Sequence, residues 1–329
     1  MFLALRDLRA ARGRFALITI TVAMMALLVS FLSGLTGGLA HQNIAAMETA
    51  GGSVAYIGDE DLDRSTFSVP NRLLDAAPST AVGFSRAQVD GSPFAIMATR
   101  AGTQGPADED TPLPEPGHAV LSEAAAKTLD AQAGDFINVN KQELVIDAIG
   151  NDDWYGHQEV IWTHLDPEAP ATFVVSEGSK EQVDGLTTIK ASDLPQHLTS
   201  YKAESTSLTM INVMLLLITA LVTGAFFTVW TIQRKPDIAT LKALGATTSA
   251  LVVDALGQAL IILVVGIGAG LAITMAAAAA IGDSMPFVVT TSTTVYPALF
   301  MLVLGLIGAG ASLAFLRTAS ALSALGGNR

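Results

Sequence analysis

Five histidines, ten methionines and no cysteine set the chemistry open to this 329-residue chain. Without a thiol, zinc-finger, thioredoxin-like and cysteine-nucleophile chemistry are all removed. His41, His118, His157, His164 and His197 show no metal-ligand spacing, and no HExxH or GxSxG occurs. His157 and His164 lie within and just beyond Trp154–Trp162, in a polar region, and read as surface residues. No GxxxxGK[ST] is present either, so the chain has no phosphate cradle with which to hydrolyse ATP. It reads as a non-enzyme with no metal and no permanently bound cofactor. The string Gly266-Ile267-Gly268-Ala269-Gly270 has the look of a dinucleotide loop. It lies inside a long apolar run with no strand before it, so it fails that reading.

The elements that must position any chemistry are apolar. Half the residues are hydrophobic, only 15% are charged, and mean hydropathy is +0.48. Soluble domains carry about 25% charge. Disorder is excluded by the apolar content. Nucleic-acid binding is excluded by the lack of clustered Lys and Arg. Uncharged runs cover Phe15–Gly38, Ser207–Ile232, Ala255–Ile281 and Ser284–Leu316. A membrane helix needs roughly 20 apolar residues, and as a helix it satisfies its own backbone. Four spans are expected, at 15–40, 207–232, 252–281 and 297–316. The first run exceeds the roughly 7–15 residues of a cleaved signal core. The spans hold no ionisable group away from their ends, which argues against an ion-coupled pump.

Charge orients the spans. Segment 1–14 is net +3, the 233–251 loop net +2 and the 317–329 tail net +2. The block 41–206 holds 26 acids and nine bases, and the 282–296 loop holds only Asp283. All basic segments fall on one side of a four-span arrangement and the acidic ones on the other. The fold class expected is an integral membrane protein with four transmembrane helices, both termini inside. One α+β extracellular domain, 41–206, is inserted between helices 1 and 2. The net charge of −12 is then a property of one face of the membrane.

Local signals fill in the parts. MFLALRDLRAARGR reads as an amphipathic helix in contact with membrane lipid. In the insert, Ser122 is a cap candidate for the helix EAAAKTL, Gly134-Asp135 a turn, and Phe94–Thr99, Phe136–Val139 and Leu144–Ile149 strands. Polar residues around 41–50 and 195–206 read as helical extensions of the first two spans. Met24 and Met25, near mid-bilayer, read as packing. In QRKPDIATLKALGATTSA, Pro236 suits a first helical turn, Gly245 a stop, and Thr247 or Thr248 the cap of the next span.

The order of parts, together with Arg234, Asp237, Ile238, Leu241, Lys242, Leu244 and Gly245 in that loop, resembles the permease subunit of a MacB/FtsX-type (type VII) ABC exporter. The likeness covers the whole chain, and GHAVLSEAAAKTL…GDFINVN resembles the family's external domain. Asp237 stands where the family usually has Glu, and the tail lacks the family's Asp-Pro element. The compact form opening on MFLALRDLRAARGRF is most similar to actinobacterial haem-exporter permeases.

The resemblance implies a multi-pass permease of the bacterial plasma membrane and a homodimer of this chain. Two copies of an ABC ATPase subunit would dock on the 233–251 coupling helix and carry the ATP. It implies haem as substrate, taken sideways from the outer leaflet between the first two spans. Haem is flat and apolar, and its iron accepts His, Met, Tyr or a carboxylate. Glu48, His41 and Met210 are then iron-ligand candidates. Phe31, Leu35, Met47, Met214 and Tyr201 complete the substrate-binding set near the outer ends of those spans. The same family allows other readings: a mechanotransmitter that controls an extracellular partner, or an exporter of another amphipathic molecule, a peptide or a lipoprotein.

Overall fold

The computed structural model describes residues 12–75, 78–101, 113–178, 182–233, 240, 244–282 and 285–313. They divide into two units, one comprising residues 1–37 with 208–329 and the other Gly38–Ser207.

The first unit is helical. Helix α1 runs Arg12–Thr49, α4 Thr199–Gln233, α5 Thr248–Ile281 and α6 Tyr296–Leu313. Together with the turn before α6, these give four helices long and apolar enough to cross a membrane. The 38 residues of α1 would extend about 57 Å at 1.5 Å per residue, well past the ~30 Å of hydrocarbon. The unit boundaries fall inside α1 and inside α4.

Glycine sets how closely these helices approach. A Cβ on Gly270 would lie 2.5 Å from the Ala23 carbonyl oxygen, and one on Gly266 2.7 Å from Val22. These two positions seat α5 directly on the backbone of α1. Beside them the Ser30 and Thr274 hydroxyls meet at 2.7 Å, both buried. Gly308 on α6 also approaches Gly224 on α4, where a Cβ would stand 3.1 Å from the facing Cα. At the other end of α1, Phe15 and Trp230 pack edge to face at 5.4 Å. Met25 packs against this core, whereas Met24 is 61% exposed. The expectation that both methionines pack inside therefore fails for Met24. It shares a helical stripe with Leu17, Ile20 and Leu28, and that stripe faces away from the other three helices.

The second unit is built on a ten-stranded sheet. In chain order its elements are β1 Val54–Ile57, α2 Asn71–Asp75, β2 Ser79–Val89, β3 Ser92–Ala101, β4 His118–Leu121, α3 Glu123–Leu129 and β5 Phe136–Val139. They continue with β6 Gln142–Ile149, β7 Trp154–Tyr155, β8 Gln158–His164, β9 Phe173–Ser176 and β10 Thr187–Lys190. Strand order is β10-β1-β9-β2-β3-β8-β4-β6-β5, with β7 pairing β8 at its edge. The pairs β3–β8 and β4–β6 are parallel and the rest antiparallel.

The helix expected after Ser122 is present. The Ser122 hydroxyl accepts the Ala125 amide at 3.2 Å, and Asp130 closes the helix in the left-handed conformation. The apolar faces of β4, β5, β6 and α3 bury Leu121, Ala125, Ile137 and Ile146 in one cluster. A second cluster joins the sheet to the end of α1 and the start of α4 through Ile44, Met47, Trp162, Leu198 and Tyr201.

Candidate functional site

The site residues fall into two groups, one in each unit. In the sheet unit, His41, Met47 and Glu48 lie on the last turns of α1, and Tyr201 on the first turn of α4. Glu48 is exposed. Met47 is only 4% exposed and packs in the cluster that also holds Tyr201 at its edge. His41 is half-buried, with Nε2 3.4 Å from Asp152 Oδ2. Asp152 also accepts the Trp154 indole N–H at 2.9 Å. These contacts, His41 first, hold its carboxyl below the usual carboxylate range.

This stretch of helix is gripped by the segment between β6 and β8. The Gly156 and His157 amides donate to the carbonyls of Asn43 and Gln42, at 3.1 and 2.8 Å. Fully buried Asn43 donates from Nδ2 to Glu204 Oε2 on α4 at 2.6 Å. His157 Nε2 lies 3.0 Å from both groups. Thr49 and Trp162 both donate to buried Asp153. His157 is exposed, in keeping with its reading as a surface residue, and it also makes structural bonds. It sits at φ +61 in the tight turn between β7 and β8, where it joins α1 to α4. Asn43, Asp152, Asp153 and Glu204 were missed altogether. The one available signal was the density of acids and aromatics in Asp152-Asp153-Trp154-Tyr155.

In the helical unit, Phe31 and Leu35 are partly buried on successive turns of α1. The Phe31 ring lies 5.2 Å from that of Phe287, in the segment joining α5 to α6. Asn212 on α4 donates to the Thr36 hydroxyl at 3.3 Å and so faces α1. Met210 and Met214, two positions either side of it, point the other way and are 71% and 53% exposed. They do not meet α1 of the same chain.

Of the coupling segment, Arg234, Asp237, Ile238, Leu241 and Lys242 lie outside the described residues. Leu244 is 79% exposed, and its amide donates to the Thr240 carbonyl at 3.0 Å. Gly245 follows at φ +95, a conformation that stops a helix. Thr247, one of the two cap candidates, accepts the Ala250 amide at 3.3 Å to start α5.

Comparison with known proteins gives this arrangement its class. Residues 209–321 match the family model described as FtsX-like permease C-terminal. With four membrane-capable helices, the chain is a multi-pass permease of the cell membrane. Over its whole length it is 26% identical to a protein of Staphylococcus epidermidis strain ATCC 12228, described as the hemin transport system permease protein HrtB. The alignment covers 100% of each chain. A protein of Staphylococcus haemolyticus with the same description is 24% identical, with 99% of each chain covered. These likenesses support an FtsX-like permease of the type VII ABC class.

Proposed function

We propose that this chain is the permease subunit of an ATP-driven efflux pump that removes haem from the outer leaflet of the membrane. The observation that carries the reading is full-length similarity to permeases whose descriptions name hemin transport. The charge pattern supports an external sheet unit, because the acidic block and the basic loops fall on opposite sides of the four spans. Two copies of the chain would then stand side by side, with two ATPase subunits below. Haem would enter laterally, with Phe31, Leu35, Met210 and Met214 offering it apolar surface.

Glu48 is the ligand we favour for its iron, because it is an exposed carboxylate and so free to coordinate. His41 is drawn toward Asp152, and Met47 is held in the core, so both are poorer ligands. Entry from lipid also answers the electrostatic difficulty, because an acidic exterior repels haem propionates approaching from water.

The test is the purified complex with its cognate ATPase in lipid nanodiscs. The reading expects a Soret band on haemin addition and ATPase activity that rises with haemin. A complex that shows neither removes haem as the cargo.

A further inference from the structure

The connection between α5 and α6 is built to hold one aromatic ring against α1. Gly34 is the seat: a Cβ there would lie 2.3 Å from Phe287 Cζ and within 3 Å of both Cε atoms. Any side chain at position 34 would force the ring to shift. The Val288 amide donates to the Gly34 carbonyl at 3.1 Å, fixing the backbone beside the ring. Three residues further along α1, a Cβ on Gly37 would lie 2.5 Å from the Thr293 methyl. Thr293 is itself locked. The Thr290 amide donates to the Thr293 hydroxyl at 2.9 Å and the Thr293 amide to the Thr290 hydroxyl at 3.3 Å, while the Thr293 hydroxyl donates to the Val288 carbonyl at 2.9 Å. So Phe287 is held from both sides by a short, internally bonded segment.

Its ring is tilted 40° against Phe31 and stays partly exposed, with 41%-exposed Met285 two residues before it. Two aromatic rings at a fixed angle offer a flat apolar molecule a face and an edge. Aromatic pairs favour such offset and edge-on contacts.

We infer that Phe287 is a substrate-positioning residue: with Phe31 it forms an aromatic subsite for the macrocycle of haem, contributed by the connection between the third and fourth spans. The inference rests on the haem reading above. Phe287 is no iron ligand, so its work is orientation and apolar contact.

The experiment is haemin titration of the full complex with its ATPase subunit, wild type against F287L, F287W and G34A. Leucine keeps the bulk and loses the flat face, and tryptophan keeps the face. Alanine at 34 displaces the ring without changing it. The expected result is a Kd raised about three- to tenfold in F287L and G34A, from the loss of one aromatic contact. F287W should bind within about twofold of wild type, and the Soret position should be unchanged throughout because the ligands are untouched. Equal binding by F287L and wild type overturns the inference, and so does an equal loss in F287L and F287W, which marks a structural role. If F287L fails to assemble, the contrast between G34A and F287W decides in the same way. A wild-type complex that binds no haemin overturns the haem reading and this subsite together, so the two failures are distinct.

Discussion

Thr49, the last residue of α1, donates its hydroxyl to Asp153 at 2.5 Å. The other oxygen of that carboxylate accepts the Trp162 indole N–H at 2.7 Å. The carboxylate is buried, and burial pushes its titration up from the usual carboxylate range. One acid therefore ties the end of the first long helix to β8 in the middle of the sheet.

D153A should be among the most damaging changes in the sheet unit. It leaves the buried Trp162 indole and the partly buried Thr49 hydroxyl without their acceptor, at a cost of about 2–4 kcal/mol. Thermal unfolding of the purified chain, followed by tryptophan fluorescence, measures it. A shift no larger than that of an exposed control such as E123A would show that the two donors find other partners.

Asp152 and Asp153 are neighbours with opposite pH behaviour. Asp152 titrates below the usual range, chiefly through its bond to His41, then through Trp154. Its contribution to stability is present above the ordinary carboxylate pKa and is lost as pH falls through its lower folded value. Asp153, raised by burial, has its contribution in full below the ordinary pKa and loses it as pH rises through its higher folded value. The margin of wild type over D152N should therefore shrink as pH falls through the acid range. Unfolding temperatures of the pair between pH 3 and 7, at the roughly 3.9 midpoint of a free carboxyl and either side of it, read this directly. A margin that grows on acidification contradicts the assignment.

How much of this could be read from sequence depended on the range of the interaction. The four spans were legible because hydrocarbon tolerates no charge, so each span is written as an uncharged run. Ser122 and Gly245 were legible because capping is settled within four residues. The grip of Asp152, Asp153 and His157 on α1 was not, since its partners are more than 100 residues apart in the chain. Nothing local marks Gly34 as the seat of Phe287 either, because the two meet only when the connection between α5 and α6 folds back. Met24 was misplaced for a related reason: in a membrane helix every side is apolar, so composition cannot tell the packed face from the open one.

The glycines of α5 offer an internal comparison. G270A forces a Cβ to within 2.6 Å of both the Ala23 carbonyl and Ala26, so α1 must move away. Overpacking of this kind costs about 1–3 kcal/mol. G268A, two residues earlier, meets nothing within 4 Å and gains up to about 1 kcal/mol from helix propensity. Thermal stability in detergent should thus fall in one and hold or rise in the other. Equal shifts would mean that the α1–α5 contact is not a close-packed one.

Glu48 separates binding from folding. Its side chain is exposed and its neighbour Met47 is buried. E48A should therefore leave the unfolding temperature unchanged, while haemin binding weakens at least about tenfold and the Soret band moves, if the carboxylate holds iron. M47A should do the reverse, lowering stability by about 2–4 kcal/mol through the cavity it leaves. Unchanged spectra in E48A would remove it as a ligand and direct attention to His41 and Met210.

If the 233–251 segment docks on an ATPase, its apolar and acidic side chains must face that partner. Leu244 is 79% exposed on a turn ended by Gly245, with nothing in its own chain covering it among the described residues. A large apolar side chain left open beside such a glycine fits a docking knob, because exposed apolar surface marks an interaction site. D237K, or L241D with L244D, should therefore leave the chain inserted and stable but break its association with the ATPase. The measurable result is loss of ATPase co-purification, and loss of haemin stimulation in whatever complex remains. G245A should act more mildly, since it strains a backbone at φ +95 by about 1 kcal/mol without removing a contact. Full stimulation in both charge variants would place the coupling surface elsewhere in the chain.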